Sequence, residues 1–173
     1  MTIAYILGDG SLHDNLELRL SLRSVEKHLQ PERVIVCGHD PGFLSKNVEY
    51  IPNFPAKKEN DAAWGIKENL LALCEHPDTP DTFLLMNDDY FILQPIKGFP
   101  YYHKGELRDA MERLGSGIFY GHLLATVTVL EKRKLPTKHF DGHWPIVYDK
   151  RLLAETIVMQ DWDVPLGPAM RSM

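Results

Sequence analysis

The chain has 173 residues, with 19 Lys and Arg against 24 Asp and Glu, a formal net charge of −5. Apolar residues make up 44% and charged residues 25%, which excludes a disordered tail, a coiled coil and a collagen-like repeat and leaves room for a real core. The acidic balance argues against a dedicated duplex-binding protein, which carries a basic surplus. The length predicts one compact domain over residues 1–173.

The chain opens on TIAYIL (residues 2–7), an apolar run that stops at Gly8-Asp9-Gly10. It reads as a buried first strand rather than a signal peptide, and no apolar run reaches the ~18 residues of a membrane span. Asp14 and Glu17 have the spacing of a capping box, and Leu18, Leu22, Val25 and Leu29 predict an amphipathic helix over 15–29. RVIVC (33–37) is a second buried strand, closed by Gly38 to Gly42, and residues 48–51 are a third, stopped by Pro52. Asn60 or Asp61 can cap a second helix with Ala63, Ile66, Leu70 and Leu73 on one face, ended by Pro77.

TFLLM (82–86) is the fourth strand, ending in Asn87-Asp88-Asp89. Residues 105–114 predict a short helix. Residues 121–132 fit a helix through Leu123, Val127 and Leu130, or a strand through their Thr-Val-Thr-Val run. Residues 136–147 read as an ordered loop, and a further helix starts near Asp149. Cys37 and Cys74 sit in apolar surroundings without metal-ligand spacing and read as reduced core residues of a cytoplasmic protein.

Strands alternating with helices predict an α/β fold, a mostly parallel central sheet flanked by helices. Ligands of such sheets bind beyond the carboxyl ends of the strands. Gly8-Asp9-Gly10-Ser11, the Gly38–Gly42 loop and Asn87-Asp88-Asp89 all fall at that edge. The paired carboxylates are either a polar turn or a site for a hard divalent cation, Mg2+ or Mn2+. The glycines are either a tight turn or a loop that lets backbone approach a ligand. Arg19 and Arg23, four apart on one helix face, and Lys67 on the next helix are either solvated or phosphate-binding. His139 and His143, with Asp141 between them, are either structural or functional: histidine serves as a metal ligand or as a base near neutral pH, and Asp141 or His143 is the candidate base for a hydroxyl. Lys132, Arg133, Lys134 and Lys138 form a basic stretch, either solvated or facing an anionic acceptor.

Taken in order, these segments resemble the Stealth-type sugar-phosphate transferases, which include capsular polysaccharide phosphotransferases. The resemblance covers roughly residues 5–155. It rests on Asp9-Gly10-Ser11, on Glu17 to Lys27 with the following strand, on Asn60-Asp61-Ala62-Ala63, on Asn87-Asp88-Asp89-Tyr90-Phe91, and on His143-x-Pro145 with Lys150. It implies a GT-A-like (Rossmann-like) nucleotide-sugar fold, with a nucleotide-sugar and metal half at 1–95 and an acceptor half at 96–173, a divalent metal and a UDP-sugar donor. Asp88, Asp89 and His143 are then the metal-proximal set, and Asp89, Asp141 and His143 the catalytic one. Gly8, Asp9, Gly10, Ser11, Arg19, Arg23, Asn60, Lys67 and Lys150 then surround the donor. The reaction expected of this chain is glycosyl transfer to a hydroxyl of a polysaccharide, a glycan or modified DNA. The alternatives are sugar-1-phosphate transfer releasing UMP, or a non-catalytic domain that binds a nucleotide sugar or a partner.

Overall fold

The computed structural model describes residues 1–54, 62–99, 102–140 and 144–158, of which Ala62 and Ala63 only by backbone. Asn60, Asp61, Asp141 and His143 lie outside the described residues. The chain divides into two units, Met1–Phe99 with Trp144–Ile157, and Pro100–His143 with Val158–Met173.

The first unit is an α/β layer structure. Its strands are β1 (Thr2–Leu7), β2 (Arg33–Gly38), β3 (Val48–Pro52), β4 (Thr82–Met86) and β5 (Ile146–Asp149), in the order β3-β2-β1-β4-β5. The first four are parallel, and β5 runs antiparallel to β4. Helix α1 (Leu16–His28) links β1 to β2, α2 (Ala62–Glu75) precedes β4, and α5 (Lys150–Val158) follows β5. Helix α1 was expected over 15–29, so it differs by one residue at each end.

Period-two alternation sends Ile3, Tyr5 and Leu7 of β1, with Val36 of β2 and Leu84 and Met86 of β4, to one face, where Leu18 and Val25 of α1 complete the main core cluster. Each fully buried Leu or Ile there contributes about 1.5–3 kcal/mol of transfer free energy. The alternate residues Ala4, Ile35 and Cys37 serve the other face, where the Cys37 thiol donates to the Asn69 carbonyl of α2 at 3.3 Å. Cys37 and Cys74 are buried and unbridged. Burial pushes their thiols up to about 12 and about 11, so both stay protonated and unreactive.

Three expectations are corrected. The Asp14–Glu17 capping box does not form: Asn15 occupies the N-cap in a left-handed conformation, without a side-chain bond. Ser11 does that work, its Oγ accepting from the backbone N–H of Asn15 at 3.0 Å and of His13 at 3.2 Å. Ile66 is exposed, while Leu70 and Leu73 are buried as expected and share the inner face of α2 with Asn69 and Cys74. Part of the expected 136–147 loop is β5, which pairs along β4 from Leu85↔Ile146 to Thr82↔Asp149.

In the second unit the stretch left open between helix and strand, 121–132, lies within helix α4 (Ile118–Lys132), packed with α3 (Leu107–Leu114). The threonines that suggested a strand bond back within the helix, Thr126 Oγ1 to the His122 carbonyl and Thr128 Oγ1 to the Leu124 carbonyl, both at 2.8 Å. Leu123, Val127 and Leu130, at helical spacing, bury against Leu107 and Met111. Lys138 pairs with Glu106, whose carboxyl is held below its usual range by that ammonium and by the Thr137 hydroxyl. No described helix is long and apolar enough to cross a membrane.

Candidate functional site

The strand order places the point where the connection direction reverses between β1 and β4. From β1 the chain steps outward to β2 and β3, then returns across β1 to β4. Loops leaving adjacent parallel strands in opposite directions open a crevice at their carboxyl ends. Ile3 to Tyr5 pair with Leu84 to Met86, so Gly8–Ser11 and Asn87–Asp89 leave the sheet side by side.

On the β2 side the same edge is closed. The Leu7 carbonyl accepts from the His39 N–H at 3.0 Å and from Asn69 Nδ2 at 3.2 Å. The Gly38 carbonyl accepts from the Tyr50 hydroxyl at 2.9 Å, and Asn53 Nδ2 donates to Asn69 Oδ1 at 2.9 Å. The opening therefore faces β4.

Helix α1 holds both walls of the crevice. At its start, Ser11 fixes the β1 loop as described. Farther along, Ser21 Oγ donates to the Tyr90 carbonyl at 2.5 Å, and Ser24 Oγ accepts from the Ile92 N–H at 3.0 Å. Tyr90 and Ile92 insert into the main core, and the Tyr90 N–H bonds the Asn87 carbonyl at 3.2 Å. Beneath them the Tyr5 hydroxyl sits 2.9 Å from Ser21 Oγ, and burial pushes its pKa well above the usual range. The segment that follows the carboxylate-bearing turn is thus tied twice to one helix, and β4 holds its other end, which limits its reorganisation.

The electrostatics at this corner are negative. Asp88 is half-buried, and its carboxyl is raised by burial first, then by the charges of Asp89 and, more weakly, Glu17. Glu17, in the first turn of α1, is held below its usual range by the Ser11 hydroxyl and then by its own backbone N–H. The α1 N-terminus is therefore occupied by the chain's own carboxylate. Hard oxygen donors whose ionised form is strained by like charge suit a divalent cation better than an anion. Among the described residues, no group of three His, Cys, Asp or Glu side chains lies close enough to form a complete ligand set.

Of the residues expected at the site, the structure brings together Gly8, Asp9, Gly10, Ser11, Asp88 and Asp89. Gly8 and Gly10 are exposed, with nothing within 4 Å of where a Cβ would stand. Arg19 and Arg23 line a separate groove beside the β2–β3 loop, and that lining includes none of the six. Lys67 lies on α2, its ammonium 4.0 Å from the Trp64 ring centre and 3.4 Å from Glu68.

Lys150 is placed apart from the crevice. Its ammonium donates to the His76 and Thr79 carbonyls at 3.0 and 2.8 Å, tying down the α2–β4 loop. That is beside Thr82, the other end of β4 from Asp88, about 20 Å away at strand rise. His139 is buried in the second unit. Sequence reading missed Glu17 as a neighbour of Asp88, and Ser21, Ser24 and Asn69 as clamps. Their signal was polar residues on otherwise apolar helix faces.

No known protein family matches the chain, and no curated protein is similar enough to match it.

Proposed function

We propose that the protein is a metal-dependent glycosyltransferase that takes a nucleotide-sugar donor, a UDP-sugar in the first instance, and transfers the sugar to a hydroxyl acceptor, on a GT-A-like variant of the Rossmann-like sheet. The observation that carries the reading is the meeting of Gly8–Ser11 and Asn87–Asp89 at the reversal point between β1 and β4.

Asp88 and Asp89 are the residues that would hold Mg2+ or Mn2+. When bound, the cation supplies charge neutralisation for a departing nucleoside diphosphate. Asp88 contributes a carboxylate that burial has already stripped of part of its water and that Asp89 and Glu17 repel. Gly8 and Gly10 leave the β1 loop without side chains, so backbone can approach the donor closely. Ser11 keeps that loop in place from within, and Ser21 and Ser24 keep the acidic turn in place. The base for the acceptor hydroxyl is assigned to Asp141 or His143 on the sequence alone.

A donor panel in Mn2+ or Mg2+ tests the reading by the nucleotide released. UDP identifies glycosyl transfer. UMP identifies transfer of the sugar phosphate, the reading that the resemblance of Asn87 to Phe91 favours. Binding of donor without turnover reduces the protein to a nucleotide-sugar-binding domain. Asp89→Asn is expected to lower turnover at least a hundredfold, an amount typical for loss of a charge-stabilising group.

A further inference from the structure

A second concave surface lies on the first unit, away from the acidic turn. β2 and β3 are parallel neighbours joined by residues 39–47 without a helix. The sheet face beside α1 therefore lacks a second covering helix there, and Phe43 and Leu44 fill the space only in part. What remains is a groove of about 680 Å³, inside the range of small-ligand sites. Its apolar lining is Leu22, Val34, Phe43, Leu44 and Val48, each partly buried and packed on the main core.

One rim carries Arg19 and Arg23, both exposed and four apart on α1, so they share a helix face about 6 Å apart along the axis. The Arg19 guanidinium stacks over the Phe43 ring at 4.3 Å. Stacking fixes the plane of the guanidinium while leaving its in-plane N–H donors for a ligand. Among the described residues, neither arginine has a carboxylate within ion-pair distance. Elsewhere along the groove, Glu32 pairs with the chain's terminal amine and Arg33 with Glu49. The charges left over are Arg19 and Arg23 against Glu26, a positive end on a chain of net charge −5.

We infer that this groove binds a small organic anion, a phosphate or carboxylate carried on an aromatic or aliphatic body. Arg19 and Arg23 take the anionic head, and Leu22, Leu44 and Val48 cover the body. Neither half suffices alone: exposed charge pairs are weak in water, and a shallow apolar surface does not orient its ligand. The groove shares no lining residue with Gly8–Ser11 or Asn87–Asp89, so this inference stands or falls apart from the transferase reading.

The test is titration of the whole chain with 1-naphthyl phosphate, read by ligand fluorescence and by the backbone amide resonances of residues 43–48. Inorganic phosphate and 1-naphthol serve as the two half-ligands. The expected result is saturable binding of the naphthyl phosphate at least tenfold tighter than either half. Arg19→Ala and Arg23→Ala should each weaken it about tenfold, the loss of one charge-assisted hydrogen bond. Asn47→Trp, at an exposed position on the lining, should block it without lowering the unfolding temperature. Equal affinity for naphthol, equal affinity for phosphate, binding indifferent to both arginines, or no binding at millimolar ligand would each overturn the inference. A concentration-dependent dimer that Asn47→Trp dissolves would also overturn it, by giving the groove to a second copy of the chain.

Discussion

Two crests of the same sheet edge, a strand apart, are built in opposite ways. At the end of β2, Gly38 has φ +124, and a Cβ there would stand 2.1 Å from the Leu7 carbonyl oxygen and 2.7 Å from Asn69 Nδ2. Asn69, Asn53 and Tyr50 then consume the surrounding carbonyls. At the end of β1, facing β4, Gly8 and Gly10 meet open space, and the acids opposite them repel each other. One crest is a closed joint, where the glycine is required by its own fold. The other is an open one, where glycine is not required by packing, and that contrast locates the site.

Substitutions should separate the two. Gly38→Ala is expected to cost about 3 kcal/mol or more, because a left-handed backbone and a backbone clash act together. Urea unfolding measures it, and a loss below 1 kcal/mol would mean the joint is not closed. Asn69→Leu should cost about 2 kcal/mol, since it strips the Leu7 carbonyl and Asn53 of a buried partner. Lys150→Met should cost about 1 kcal/mol through its two carbonyl contacts and leave donor affinity untouched. Gly10→Ala, at the open crest, should change stability by less than about 0.5 kcal/mol while weakening donor binding.

The acids sharpen the same comparison through pH. Asp88 holds its proton to higher pH in the folded chain than in the unfolded one, so its ionisation subtracts stability as pH rises through the raised value. Asp88→Asn should therefore unfold at a higher temperature than wild type at neutral pH. The advantage should vanish once pH falls below the ordinary aspartate range. Paired thermal melts across that window check the sign.

The first four strands were legible because each is a short apolar run closed by Gly, Pro or Asp, and the parallel sheet follows from their alternation with helices. β5 was not, since Ile146–Asp149 is only half-buried and acquires its strand character from pairing with β4. α4 was ambiguous because β-branched residues lower helix propensity slightly, while Thr126 and Thr128 satisfy their hydroxyls inside the helix, which composition does not reveal. At the site, the motifs Gly8–Ser11 and Asn87–Asp89 were visible as sequence. Their adjacency was not, since it depends on β4 returning to the far side of β1. Arg19 and Arg23 shared a helix with the site residue Glu17, yet the two residues from Glu17 to Arg19 turn the helix by about 200° onto another face, and there Arg19 meets Phe43.

The central claim is that Asp88 and Asp89 hold a divalent cation where a nucleotide diphosphate also binds. Calorimetric titration of Mn2+ in the presence and absence of UDP tests it most directly, comparing wild type with the Asp88→Asn, Asp89→Asn double variant. The account predicts that each ligand tightens the other in wild type, and that Mn2+ affinity drops at least tenfold in the double variant while its fold is retained. Equal Mn2+ and UDP affinities in the two proteins would contradict it.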